Sequence, residues 1–206
     1  MKLATLPRLM RACAPLAAAL ACGGEEPAAP EGGASGVRIE RPPALSIAAA
    51  SSLRFVLDDL VDEFREAHPD TGVAVTYGSS GNFYAQIQNG APFDLYLTAE
   101  TSYARQLVDA GLARPKSLFV FADGRIALWV LKDSPLNIET IGLRALTDPS
   151  VHQVSIANPA VAPYGVAAEE ALRAGDLYDV VQPKLVLGES IAQALQFVES
   201  GAAQAG

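Results

Sequence analysis

A short apolar run, a turn of Ser or Gly, and then apolar residues at helical spacing make a unit that recurs along this chain and limits what it can fold into. Residues 45–50 form a short, mainly apolar run, and Ser51 and Ser52 then open a stretch in which Leu53, Val56, Leu57, Leu60, Val61 and Phe64 repeat with helical period up to Ala67. Residues 73–77 give a second strand, and Gly78-Ser79-Ser80-Gly81 leads into a helix over 82–88. Residues 93–98 predict a third strand with a helix over 102–110 behind it. The pattern continues with strands at 125–132, 154–157 and 184–187 and helices at 166–174 and 190–200. Strands alternating with helices through short turns predict an α/β protein with parallel sheets.

Composition agrees and excludes other classes. The chain has 206 residues, half of them hydrophobic and 18% charged, so it carries enough apolar surface to fold as one domain or two small lobes. Fifteen basic residues stand against 23 acidic ones, a net charge of −8, and the basic residues are scattered singly. Binding to nucleic acid needs clustered Lys and Arg, so that class is excluded. Two Cys and two His in all make a zinc pattern impossible.

Both cysteines, Cys13 and Cys22, lie in a start that reads as an export signal. Lys2, Arg8 and Arg11 form its positive region, and the apolar stretch 12–21 is too short to span a bilayer of about 30 Å. Ala19-Leu20-Ala21 before Cys22 is similar to the site at which a signal peptidase cuts and the new N-terminal Cys is acylated, although Ala19 stands where Leu is usual. Residues 1–21 are thus expected to be a signal peptide, with Cys22 lipidated and the protein tethered to a membrane; ordinary secretion after cleavage is the alternative. Removing 1–21 leaves 12 basic and 23 acidic residues, a net −11, and no cysteine free for a disulfide. Residues 22–43, rich in Gly, Pro, Glu and Ala, read as a flexible linker. The far end, AAQAG after Gly201, has no evident closing element, which predicts a fold incomplete at its C-terminus.

Four turns hold the candidate chemistry: Ala50-Ser51-Ser52, Gly78-Ser79-Ser80-Gly81, Pro163-Tyr164-Gly165 and Glu189-Ser190-Ile191. In open parallel sheets, ligands bind beyond the carboxyl ends of the strands, where helix N-termini present unpaired N–H groups and the positive end of the helix dipole. That arrangement binds an anion without cations. With about five to seven donors at roughly 1.5–3 kcal/mol each to a charged acceptor, micromolar or tighter binding is attainable. A lone Ser before a helix is ordinarily a structural cap; two Ser pairs at successive strand-to-helix turns are harder to read that way.

The runs AAASSL at 48–53, YGSSGN at 77–82, GAPFDLYLTAE at 90–100 and ANPAVAPYG at 157–165, in this order and spacing, resemble the periplasmic molybdate-binding proteins of molybdate ABC transporters. The resemblance covers roughly 45–206. It implies an α/β, two-lobed periplasmic-binding-protein fold with a ligand cleft between lobes, here 44–120 and 121–206, the second lacking its return to the first. It implies a molybdate or tungstate oxyanion as ligand, no cofactor, an ABC permease as partner, a location outside the cytoplasm and a monomeric receptor. By the same resemblance, Ser52, Ser80 and the backbone donors of Tyr164 and Ile191 contact the oxygens of the anion, and so touch the metal only through them; Ser51 and Ser79 are weaker candidates. Many members carry a further Tyr ligand after the last helix, in a segment this sequence lacks because it ends at Gly206.

Other residues read more simply. Asp94 is expected in a turn or hinge role rather than on the ligand, His68 and His152 at the surface, and the acidic pairs Asp58-Asp59, Asp62-Glu63 and Glu169-Glu170 on solvated faces. The turns offer Ser without a base, so the chain is read as no enzyme. The alternatives are a binding protein for sulfate, phosphate or a ferric complex, and an enzyme on the same scaffold.

Overall fold

The computed structural model describes residues 44–206; the export signal, Cys22 and the linker lie outside the described residues. Two parallel sheets organise the chain. The first has the order β2-β1-β3, with β1 (Ala44–Ala50) between β2 (Gly72–Gly78) and β3 (Leu95–Leu97). The second pairs β4 (Val154–Ala157) with β5 (Leu185–Gly188).

Between β1 and β2 runs α1 (Arg54–Ala67), entered through a 3-10 turn at Ser51–Leu53. Its Leu57 and Val61 face Ile47, Ala49 and Val73 in the first core. The small side chains Ala48, Ala49 and Ala50 are buried because β1 is the central strand, with a neighbour on each side. α2 (Ser80–Gln88) follows β2, and α3 (Thr101–Asp109) follows β3. In the second lobe, α5 (Pro163–Ala174) follows β4, and α7 (Ile191–Glu199) follows β5. Two one-turn helices, α4 (Ile138–Ile141) and α6 (Tyr178–Val181), complete the set. Leu146, Val151, Val154, Leu172, Leu177 and Val181 make the second core.

The structure corrects or adds to the sequence reading in three places. Residues 125–132 are not a strand: only Trp129 is laddered there, donating to Gly206 O (2.8 Å) and accepting from Gly206 N (3.0 Å). Part of the apolar run that suggested a strand is nonetheless packed, since Leu128 and Val130 lie against the second core. Second, the AAQAG segment packs on β4, which adds to the expectation of a fold incomplete at its C-terminus and does not overturn it. Ala203 and Ala205 are buried, Ala205 bridges to Val154 in parallel sense, and Gln204 Oε1 accepts from His152 N (3.0 Å) and Gln153 N (2.8 Å). Small residues there allow close backbone approach to β4. Third, the helix expected from Val166 begins at Pro163, which suits a first helical position because its missing N–H would have had no partner.

Candidate anion-binding cleft

The four strand-to-helix turns meet at one place. Ala50, Ser51 and Ser52 after β1, Gly78, Ser79 and Ser80 after β2, Ala99 after β3, Ala162, Pro163 and Tyr164 after β4, and Ile191 after β5 line a single cleft of about 230 Å³, open mouth included. All six residues singled out from the sequence, Ser51, Ser52, Ser79, Ser80, Tyr164 and Ile191, are among them. No Asp, Glu, His, Cys, Lys or Arg is in that lining, so whatever binds meets dipoles rather than formal charges. Among the described residues there is also no group of three or more His, Cys, Asp or Glu placed to hold a metal ion directly.

The hydroxyls are prepared as donors. Ser80, 1% exposed, accepts from Ala99 N–H at 3.0 Å through Oγ. Ser51 Oγ accepts from Ala192 N–H at 3.4 Å, and Ser79 Oγ accepts from Asn82 N–H at 3.3 Å. In each case a backbone amide occupies a lone pair and leaves the hydroxyl proton to be given away. A hydroxyl already accepting a hydrogen bond is polarised into a better donor. Ser52 is exposed at the mouth, and its side chain has no partner among the described residues.

Helix starts supply the rest. The turn leading into α1 has no side-chain cap, so the N–H groups at its start stay open. In α5, Pro163 has no N–H and Gly165 N–H is held by Ala162 O (2.9 Å), which singles out Tyr164 N–H as the free donor of the first turn. In α7 the side-chain cap Ser190 accepts from Gln193 N–H (3.4 Å) and Ser51 accepts from Ala192 N–H, which singles out Ile191 N–H. Gly165 is needed for this geometry: a Cβ there would stand 2.7 Å from Pro159 N. Three helices thus aim their positive ends at one small volume.

Supporting residues were less visible from sequence. Tyr96 on β3 donates from its hydroxyl to Ser80 O (2.7 Å), fixing the first turn of α2 from below; burial pushes its phenol up to about 12. The signal for Tyr96 and Ala99 was only their place in DLYLTAE, at the third strand and outside the four turns singled out, and nothing in spacing distinguished them. Asp94 stays away from the cleft: its Oδ2 accepts from Ser46 N–H (2.9 Å) while its own N–H donates to Ser46 O (2.9 Å), extending the β1–β3 pairing by one residue. His68 and His152 are exposed, as are Asp58, Asp59, Asp62, Glu63 and Glu170, whereas Glu169 is half-buried and accepts from the Tyr178 hydroxyl (3.2 Å).

A neutral cleft at the carboxyl ends of two parallel sheets defines a solute-binding protein of the two-lobed kind. Residues 45–206 match the family described as bacterial extracellular solute-binding protein, and the chain belongs to that family. Within it the likeness is to proteins named for molybdate. The chain is 42% identical over 138 residues to the molybdate-binding protein ModA of Rhodobacter capsulatus, an alignment covering 66% of this chain and 53% of that one. It is 38% identical over 164 residues to ModA of Azotobacter vinelandii, covering 79% and 63%. The solved structure of the Azotobacter vinelandii periplasmic molybdate-binding protein superposes with a TM-score of 0.72 at 32% identity, over 79% of this chain and 69% of that one. The chain therefore spans between half and two thirds of the length of the two curated relatives.

Proposed function

We propose that this chain is the receptor part of an oxyanion importer: it captures molybdate or tungstate outside the cytoplasm and hands it to an ABC permease. One observation carries the reading. Hydroxyls whose lone pairs are taken by backbone amides, and helix-start N–H groups from both lobes, converge on a cleft lined by no charged side chain. Such a site suits a fully ionised tetrahedral oxyanion, which accepts everywhere and donates nowhere. Hydrogen phosphate is disfavoured, since no carboxylate in the lining accepts its proton. Names of relatives that carry molybdate in their titles support the same ligand.

In this reading Ser52 and Ser80 donate from their hydroxyls, Tyr164 and Ile191 from their backbone N–H groups, and Ser51 and Ser79 stand beside them. The lobes divide at residues 120 and 121. The protein binds and releases rather than catalyses, works without a cofactor and acts as a monomer. Export depends on residues 1–21, and acylation of Cys22 tethers the receptor near its permease. Metabolic labelling with a tagged fatty acid tests the last point: the label is expected in the parent and lost in Cys22→Ser.

Calorimetric titration with molybdate, tungstate, sulfate and phosphate in turn tests the ligand. Tight binding of the first two and none of the others is expected. Binding of sulfate alone would keep the scaffold and replace the ligand; silence with all four, from a folded protein, would sink the receptor reading.

A further inference from the structure

Two hydrogen bonds cross the cleft between the lobes without passing through a ligand. Gly81 N–H, in the first turn of α2, donates to Val161 O at 2.8 Å, and Ala192 N–H, in the first turn of α7, donates to Ser51 Oγ at 3.4 Å. The first is the shorter and involves backbone on both sides. It is also the tighter fit: a Cβ on Gly81 would stand 2.6 Å from Val161 O and 3.0 Å from Val161 Cα, far inside van der Waals contact and against backbone that cannot rotate away. Gly81 has no positive φ, so its own conformation does not call for glycine. What calls for glycine is the other lobe.

From this we infer that Gly81 is the closing contact of the cleft, a positioning residue that sets how near the lobes come and so how completely donors from both sides surround the anion. The inference rests on the receptor reading above but assigns a role to a residue that need not touch the ligand. In the open arrangement Gly81 and Val161 are apart and a methyl group costs nothing; in helical backbone Ala is in fact favoured over Gly. In the closed arrangement the methyl group wedges the lobes apart and breaks the 2.8 Å bond. Stability and affinity should therefore move in different directions, which a merely structural role for Gly81 would not produce.

The test compares the full chain with its Gly81→Ala variant by three measurements: melting temperature without ligand, binding and dissociation of molybdate, and radius of gyration by small-angle scattering in the presence of molybdate. Expected for Gly81→Ala are a ligand-free melting temperature no lower than the parent's, molybdate affinity at least tenfold weaker through faster dissociation, and a larger radius. Equal affinity with equal radius overturns the inference, as does a lowered ligand-free melting temperature, which would place the effect in the fold. If the parent itself fails to bind molybdate, the receptor reading falls and the closing contact, which rests on it, falls with it; binding by the parent with no difference in the variant rejects the closing contact alone.

Discussion

The two lobes contribute to the cleft by different chemical means. The first brings the hydroxyls of Ser51, Ser52, Ser79 and Ser80 beside the open N–H groups of the turn into α1; the second brings, among the proposed donors, backbone alone, the N–H groups of Tyr164 and Ile191 at the starts of α5 and α7. A hydroxyl is removed by one substitution and rotates to suit its partner. A backbone donor cannot be deleted by changing its own side chain, and its direction is fixed by the helix that carries it. The hydroxyl donors proposed in the first lobe are thus open to deletion by point mutation, while those proposed in the second are vulnerable through the packing that sets its helix starts.

That contrast orders the expected effects. The largest is Gly165→Val, which forces side-chain atoms against Pro159 and shifts the first turn of α5; overpacking of this kind costs about 1–3 kcal/mol or more in stability, and molybdate titration should show the Tyr164 donor lost as well. Next is Ser80→Ala, which removes a proposed donor to the anion and strands the Ala99 N–H in a buried place. Calorimetry should show about 1.5–3 kcal/mol of lost affinity, and chemical denaturation about 1–3 kcal/mol of lost stability. Ser52→Ala separates the two, because Ser52 is exposed and supports nothing else: affinity falls by about 1–3 kcal/mol and the denaturation midpoint stays put. An affinity loss without any stability loss in Ser80→Ala would remove the distinction between these serines.

Smaller still is an effect of alkali. Burial holds the Tyr96 phenol at about 12 against an ordinary 10, so the folded state keeps a proton that the unfolded chain releases. The stabilisation is complete below pH 10 and is lost as pH rises through 12. Tyr77, raised to about 12 by burial and by its 2.6 Å bond to Asp58, acts in the same window, so Tyr96→Phe should flatten the alkaline fall of the melting temperature only in part. The smallest effect is expected of Tyr164→Phe, within twofold of the parent in molybdate titration, since the proposed contact of Tyr164 is through its N–H; a tenfold loss would show that the second lobe also uses side chains.

Much of this was legible in the sequence because the repeated unit is local. The strand, the Ser or Gly turn and the amphipathic helix each occupy a few consecutive residues, and the parallel-sheet rule then sends their turns to one edge. What escaped depends on pairing between distant segments. Residues 126–131 form an unbroken apolar run of strand length, yet strand geometry requires a ladder partner, and among the described residues only Gly206 supplies one, to Trp129 alone. Conversely, Ala203 and Ala205 carry too little hydrophobicity to announce themselves, and are buried because small residues fit against β4. Asp94 looked like a turn or hinge residue but extends the β1–β3 pairing, through a partner at Ser46 that lies 48 positions away. The role of Tyr96 depends on the same kind of distant meeting, with Ser80.

The absence of charged side chains from the lining bears on kinetics. A chain of net charge −8 that offers an anion only neutral dipoles gives up electrostatic steering: its long-range field slows the approach of a dianion instead of guiding it. Added salt screens that repulsion, with a Debye length of about 8 Å at physiological ionic strength. Association with molybdate should therefore quicken as inert salt is raised, the reverse of what is seen where Lys or Arg gathers the ligand, while the rate of escape from the closed cleft stays nearly unchanged.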